Sequence, residues 1–526
     1  MPAVATRPCT ADTPPDTIES VAFVSLGCAK NLVDSERMLG LLAADGIAVT
    51  PDHEEADAIV INTCGFLEAS KTESMAEIQA AIDLKQTGRC KRVVVAGCLV
   101  QRHKTKLLAD APGIDRLVGV FDRDHIVKAV RGERNGDEDH FLGRYHAVTD
   151  KGSGVAGKTL EENKSGSAAT PDPFTPAETI LHKQTRGKRG RRLPVFEDDR
   201  ARLRLTPRHF AYLRMSEGCN QGCGFCTIPS IRGPMRSKPL DAILAEGQEL
   251  ASDGAVELLL IGQDTTSYGT DIGYHGRGRG LAGLLKTLDR ELPADVAWVR
   301  LMYAYPSCFT DEMIDALASC RRVVPYVDMP LQHINSDVLA RMKRKVDREL
   351  TTTLVDKLHD RVPGLALRTT FITGTPGETE AEHRELVDWI AEGHFEHVGV
   401  FEYSPEPGTP MGRMSGQIDA ETKARRYGEL MEAQQSVVFA RNADRVGDTV
   451  EVLIDAEQGE ADDGTFVYSA RTKAQAPDID SVTYVASKDE LHAGQMLDVE
   501  IADFQHYDLV AQPKRTSSRK LPVLAR

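Results

Sequence analysis

Long apolar runs are missing from this chain of 526 residues, where the hydrophobic stretches stop at about eight. A membrane-crossing helix needs about 20 apolar residues, so no transmembrane segment is expected. The N-terminus MPAVATRPCTADTPPDTIES has no apolar core behind a basic start, so it does not read as a secretory leader, and the chain reads as cytoplasmic. A basic excess is missing too: 64 Lys and Arg face 79 Asp and Glu, a formal charge of -15 with a pI near 5.5. Nucleic-acid affinity comes largely from basic groups meeting phosphates, so a polyanion is disfavoured as the main surface partner and a basic one is favoured. The 41% hydrophobic and 27% charged fractions are those of a globular protein, and the length exceeds one core, implying two to four domains. Ten cysteines in a large chain of a reducing compartment are not a disulfide framework, which makes metal binding the leading account of any cluster among them.

A further absence is local. The stretch SEGCNQGCGFCTIPSIRG, residues 216–233, spaces Cys219, Cys223 and Cys226 as C-x3-C-x2-C with no fourth Cys or His at ligand spacing. Structural zinc is closed by four protein ligands, and His209, ten residues upstream of Cys219, is the sole candidate to complete such a site. Three thiolates on a cubane iron–sulfur cluster instead leave one iron open for another ligand.

Between residues 21 and 130, VAFVSLGCAKN, AIVINTCGFLE and RVVVAGCLVQR each read as an apolar strand, a cysteine and a helix start. Strands alternating with helices imply a parallel sheet covered on both faces, with ligands gathering at the carboxyl ends of the strands. Cys28, Cys64 and Cys98 therefore converge on one edge; the competing reading is that each is a small buried residue closing its strand. Cys90 precedes its strand by two residues and falls at the opposite edge.

Residues 133–205 are rich in Gly, Ser, Pro and charge and read as a disordered linker or insertion, with a basic run KRGRR that is either solvated or touches RNA. From 206 to 440 the alternation returns. AYLRMS, VELLLIG, WVRLM, PYVDM, LRTTFI and HVGVFEY read as six strands of a partial or full (βα) barrel, with the cysteine triplet at the carboxyl end of the first. A polar, helical connector over about 420–440 leads to residues 441–513, whose period-two alternation predicts a small antiparallel β-barrel. Residues 441–510 hold 16 acidic and 5 basic groups, a patch such as Asp455, Glu457, Glu460, Asp462 and Asp463 among them.

C-x3-C-x2-C at a barrel mouth resembles the signature of the radical S-adenosylmethionine (radical SAM) superfamily. With the three-cysteine domain over 20–132 and a terminal barrel like the TRAM domain, the chain resembles the methylthiotransferases over nearly all its length. SLGCAKNLVDSERMLG, NTCGFLEASKTES and LIGQDTTSYG resemble the branch that modifies an aspartate of small-subunit ribosomal protein twelve, not the branch acting on tRNA adenosine. The resemblance implies two [4Fe-4S] clusters, one on Cys219, Cys223 and Cys226 and an auxiliary one on Cys28, Cys64 and Cys98, each with one open iron. It also implies S-adenosylmethionine as methyl donor and radical source, a sulfur donor and an electron donor. PLQHINSDVLARMKR and FITGTPGETE resemble segments lining the barrel mouth, which makes Gly374 and Gly377 candidates for S-adenosylmethionine contact.

An aspartate β-carbon has no leaving group and no proton within reach of a side-chain base, so polar catalysis cannot place sulfur there, whereas hydrogen abstraction can. The two cysteine-lined edges are therefore expected to face one another. Gln263, Asp264 and Gln332 are candidate polar positioning groups, or equally strand-end caps. Cys308, near the third strand's end, either approaches the site or is a spare buried thiol, the second being the preferred reading, and Cys9 and Cys320 carry no signal.

Overall fold

Five short strands, β1 (Ser20–Ser25), β2 (Ala48–Thr50), β3 (Ala58–Thr63), β4 (Arg92–Gly97) and β5 (Arg116–Val118), pair in parallel in the order β2-β1-β3-β4-β5. Every residue of β3 is buried, as an apolar strand covered on both faces requires. The helices α1 (Ala29–Ala44), α2 (Glu68–Thr87) and α3 (Cys98–His103) start at the carboxyl ends of β1, β3 and β4. In this order the chain leaves β1 toward one side and β3 toward the other, so the crevice of a doubly wound sheet opens where β1 and β3 meet. Three of the five strands are legible as apolar runs. β2 and β5, three residues each, are too short to show a periodicity.

This computed structural model describes residues 17–135, 138–143, 198–274, 276, 278–461 and 463–514. They fall into two units, the first running to Leu205 and including Ser230–Gly233, the second comprising Thr206–Pro229 and the chain from Pro234 onward. The flanks of the stretch read as linker take part in the first unit's packing. Phe141 is buried beside Val118, Asp199 accepts from Arg123 at 2.6 Å, and the Leu203 N–H donates to the Glu36 carbonyl at 3.1 Å. The remainder, 136–137 and 144–197, lies outside the described residues.

The second unit opens with β6 (Phe210–Arg214), followed by a short ribbon of β7 (Ser216–Glu217) and β8 (Arg236–Ser237). β9 (Glu257–Ile261), β10 (Trp298–Leu301), β11 (Val323–Asp328), β12 (Ala366–Thr373) and β13 (His397–Glu402) complete a six-stranded parallel sheet in the order β13-β12-β11-β10-β9-β6. All six strands match the apolar runs of the sequence. Leu and Val from the strands and covering helices form one apolar core with Phe371, Trp389 and Phe395 at one end. The connector is a helix of 25 residues, Ala420–Asp444, capped where the Asp419 carboxylate accepts the Thr422 N–H.

β14 (Thr449–Glu460), β15 (Phe466–Thr472), β16 (Thr483–Ser487), β17 (Met496–Gln505) and β18 (Asp508–Pro513) close a barrel in the order β14-β15-β16-β18-β17. The purely antiparallel expectation is corrected here, because β16 and β18 run parallel. A closed ring of an odd number of strands cannot alternate direction throughout, so one pair must be parallel.

The small barrel meets the bases of the β6–β13 strands through buried ion pairs. Glu257 receives Arg300 at 2.7 Å and is also paired with Arg471, which binds Asp455 at 2.8 Å. Asp455 also bonds His209 at 2.8 Å and is thereby engaged internally, whereas Asp463 pairs with Lys488 at 3.2 Å on the surface. Asp462 lies outside the described residues. Among the described residues no helix is long and apolar enough to cross a membrane.

Candidate metal and cofactor sites

Cys28 caps α1, Cys64 follows the last residue of β3, and Cys98 follows the last residue of β4. Ser25 lies opposite Asn62 and Thr63 opposite Gly97, so three adjacent strands about 4.8 Å apart deliver the cysteines to one edge, at the switch point. Two glycines permit that convergence. A Cβ on Gly27 (φ +94°) would lie 3.2 Å from the Cys64 sulfur, and one on Gly97 (φ +96°) would lie 2.3 Å from Asn62 Oδ1. Any other residue would be strained there and would push the strand ends apart. Cys90 is buried in the core before β4, away from this edge, as its spacing predicts.

The thiols feel one another. Burial pushes Cys98 up to about 12, with Cys28 and Cys64 adding to the rise and the Arg232 guanidinium opposing it. At Cys28 the crowded surroundings also oppose ionisation, but Lys30, Arg232 and the N–H groups of Asn31 and Lys30 outweigh them and lower the thiol.

In the second unit Cys219, Cys223 and Cys226 follow β7 in a loop whose turns use left-handed Gly218 and Gly222. Burial raises Cys219 to about 11 and Cys226 to about 12, and the neighbouring thiols contribute. Each sulfur has an N–H donor. Gln221 N reaches Cys219 at 3.4 Å, Ile228 N reaches Cys226 at 3.4 Å, and Arg344 Nη1 reaches Cys223 at 3.6 Å. Three crowded sulfurs with donors around them are unfavourable as bare thiolates and favourable once a cationic metal centre shares their charge.

The donor sets argue against zinc, because structural zinc is closed by four protein ligands and each set here offers three thiols. Among the described residues the ligand-type trio with all atoms within 4.8 Å of one another is Glu380, His383 and Glu429, not either cysteine set. His209 stands before β6, at the end of the strand remote from the triplet, and is bound to Asp455, so it does not complete a zinc site. Glu380 and Glu429 are themselves neutralised by Arg425, at 2.9 and 2.6 Å.

Asp264 is a hub beside the triplet. It accepts from Gln221 at 2.6 Å, Thr266 at 2.9 Å, and the Ser267 hydroxyl and N–H at 2.5 and 3.1 Å. Cys308 joins this group, 3.4 Å from both Gln221 Nε2 and Ser267 Oγ. Gln263 donates to Glu217 at 2.6 Å, which is paired with Arg214. Gln332 sits at φ +75°, tied to β12 through the Thr370 carbonyl and the Ile372 N–H. Left-handed backbone in a non-glycine residue at a strand end is strain of the sort held at functional sites. Gly374 is also left-handed, and its missing Cβ leaves room for Lys423, while the Gly377 N–H is committed to the Gly416 carbonyl. Thr375 is buried against Glu378. Asn31, Gln221, Arg232 and Arg344 escape the sequence reading. Each lies inside a quoted segment, but nothing in local spacing marks a residue whose partner is a distant sulfur or carboxylate.

Three family profiles match in succession: the uncharacterized protein family UPF0004 over residues 20–119, the radical SAM superfamily over 213–390 and the TRAM domain over 446–513. The chain is similar to the ribosomal protein uS12 methylthiotransferase RimO of Bdellovibrio bacteriovorus, 38% identical over 496 residues that cover 94% of this chain and 97% of that one. The protein of the same description from Desulforamulus reducens is 36% identical over 94% of this chain and 99% of its own length. Among solved structures, the radical S-adenosylmethionine methyltransferase TsrM of Kitasatospora setae matches with a TM-score of 0.47 and 17% identity, covering 75% of this chain and 77% of that one. At more than a third identity over nearly full length, the chain belongs to the ribosomal protein uS12 methylthiotransferase RimO family of radical SAM enzymes, transferases whose cofactors are two [4Fe-4S] clusters and S-adenosylmethionine.

Proposed function

We propose that this enzyme places a methylthio group on the β-carbon of an aspartate in ribosomal protein uS12, with Cys219, Cys223 and Cys226 holding the radical SAM cluster and Cys28, Cys64 and Cys98 the auxiliary one. The observation that carries the reading is the pair of cysteine triads, one at the carboxyl ends of three parallel strands and one in the loop after β7, each one ligand short of a closed site. When bound, the clusters and S-adenosylmethionine supply the radical and sulfur chemistry that an unactivated carbon requires. The chain's own residues do the holding. N–H groups of Gln221, Ile228 and Arg344 stabilise negative sulfur, and Asp264 positions Gln221 within the triplet. Gln263 and Gln332 border the same strand ends as polar positioning groups. Gly374 and Gly377 would contact S-adenosylmethionine through backbone shape, since the Gly377 N–H is committed to the Gly416 carbonyl. An external reductant and a sulfur donor complete the reaction.

Recognition of uS12 falls to the acidic barrel. Glu457 and Glu460 on β14 and Asp498, Glu500 and Asp503 on β17 are exposed, and such a face attracts a basic protein while repelling phosphate. The test is anaerobic reconstitution followed by incubation with uS12, tRNA, S-adenosylmethionine, sulfide and dithionite. Mass spectrometry is expected to find the methylthio group on one aspartyl peptide; a modified tRNA adenosine with no modified peptide would overturn the assignment.

A further inference from the structure

Arg232, six residues beyond Cys226 in sequence, is 1% exposed and folds with the first unit. Its Nη2 donates to Cys98 Sγ at 3.3 Å and to Asn31 Oδ1 at 3.1 Å, and its Nη1 donates to Asp34 Oδ2 at 2.9 Å. Asp34 in turn accepts from Arg123 at 2.6 Å, and Arg123 also binds Asp199 at 2.6 Å. Arg232 and Arg123 thus share Asp34, Asp199 gives Arg123 a second carboxylate, and all four side chains are buried. Asp34 alone would satisfy Arg232 as a structural ion pair. The second amino group is instead shared between Asn31 and the sulfur of Cys98, and a planar guanidinium held on both sides cannot swing away.

We propose that Arg232 is a positioning residue of the auxiliary cluster: it fixes the Cys98 sulfur as a ligand and raises the cluster's reduction potential. The inference rests on the reading that Cys28, Cys64 and Cys98 hold that cluster. Its physical basis is that an N–H donated to a ligand sulfur, carried by a cation in a dry site, favours the state bearing one more electron, and hydrogen bonds to sulfur are among the determinants of cluster potential. The donor comes from the loop that follows the other cysteine triplet, so cluster ligation in one part of the sequence depends on a segment belonging by sequence to another.

The test uses the full chain carrying C219A, C223A and C226A, so that only the auxiliary cluster is read. It is reconstituted anaerobically and titrated with dithionite while the reduced cluster is followed by electron paramagnetic resonance. R232M in this background is expected to move the reduced-to-oxidised ratio at fixed potential at least tenfold toward oxidised, about 59 mV for one electron. R232K, which keeps the charge but cannot reach all three partners, is expected to fall between the two. Either loaded variant with the parent's potential overturns the proposal, as does failure of both to fold by circular dichroism, which would make Arg232 a structural ion-pair member only. A folded variant that takes up no iron supports it, because the contact is then needed to hold the cluster. If the parent itself binds no iron, it is the cluster assignment that fails.

Discussion

Asp264 accepts a 2.6 Å hydrogen bond from Gln221, the residue midway between Cys219 and Cys223. The carboxylate reaches the cysteine loop from the strand end after β9, so the loop's shape depends on a group 43 residues away. D264A removes the carboxylate that Gln221 and Ser267 bond, while Thr266 keeps the Tyr305 carbonyl at 3.0 Å, a loss of about 1–3 kcal/mol for each buried donor left unmet. We expect at least a tenfold fall in S-adenosylmethionine cleavage, read as 5′-deoxyadenosine by chromatography, with a smaller fall for D264N, which keeps one acceptor oxygen. Unchanged cleavage in D264A would remove Asp264 from any positioning role.

The triads should separate by mutation. C219A/C223A/C226A is expected to retain about four irons per chain instead of about eight, because its remaining ligands lie on a different sheet. The complementary C28A/C64A/C98A variant is expected to cleave S-adenosylmethionine while transferring no sulfur. Iron analysis and product chromatography on the two proteins decide this, and about eight irons in the first variant would refute the two-site assignment.

Acid should loosen the small barrel first. Burial alone would raise Glu257, but Arg471 and Arg300 outweigh it and hold the carboxyl below its ordinary value of 4.5. A folded value below the unfolded one contributes stability that is complete above about 4.5 and is lost as pH falls through the folded value. Thermal melts should therefore decline below that pH. E257Q should lose about 3 kcal/mol at neutral pH, since it leaves two buried guanidinium groups poorly paired, and its acid limb should be flatter than the parent's. Equal acid limbs would assign the decline to other carboxylates, Asp455 being the next candidate because His209 and Arg471 also hold it low despite its burial.

The acidic face makes a kinetic prediction. E457Q/E460Q/D498N/E500Q is expected to slow association with uS12 several-fold at low salt and to flatten the salt dependence, since exposed charges act mainly on encounter. Surface plasmon resonance at two ionic strengths reads both effects, and S-adenosylmethionine cleavage should be unchanged. Faster or unaltered association would mean that uS12 docks elsewhere.

Much of this protein is written locally in its sequence. A strand, a tight turn and a helix start occupy about ten residues, so Cys28, Cys64 and Cys98 could be placed at strand ends from their own neighbourhoods, and C-x3-C-x2-C specifies its triplet within eight residues. The six long apolar strands of the second unit were legible for the same reason, while β2 and β5 were too short to register. Tertiary structure decided the rest. Arg232 meets Cys98 across 134 residues and Arg344 meets Cys223 across 121, contacts that depend on how finished elements pack and leave no periodic trace. Packing likewise turned Asp455 from an apparent surface charge into an ion-pair partner of Arg471, and closure of an odd-stranded ring made one pair of the small barrel parallel. The thiol positions follow from backbone periodicity, which is local, whereas the charges that tune them come from side chains brought together only by the completed fold.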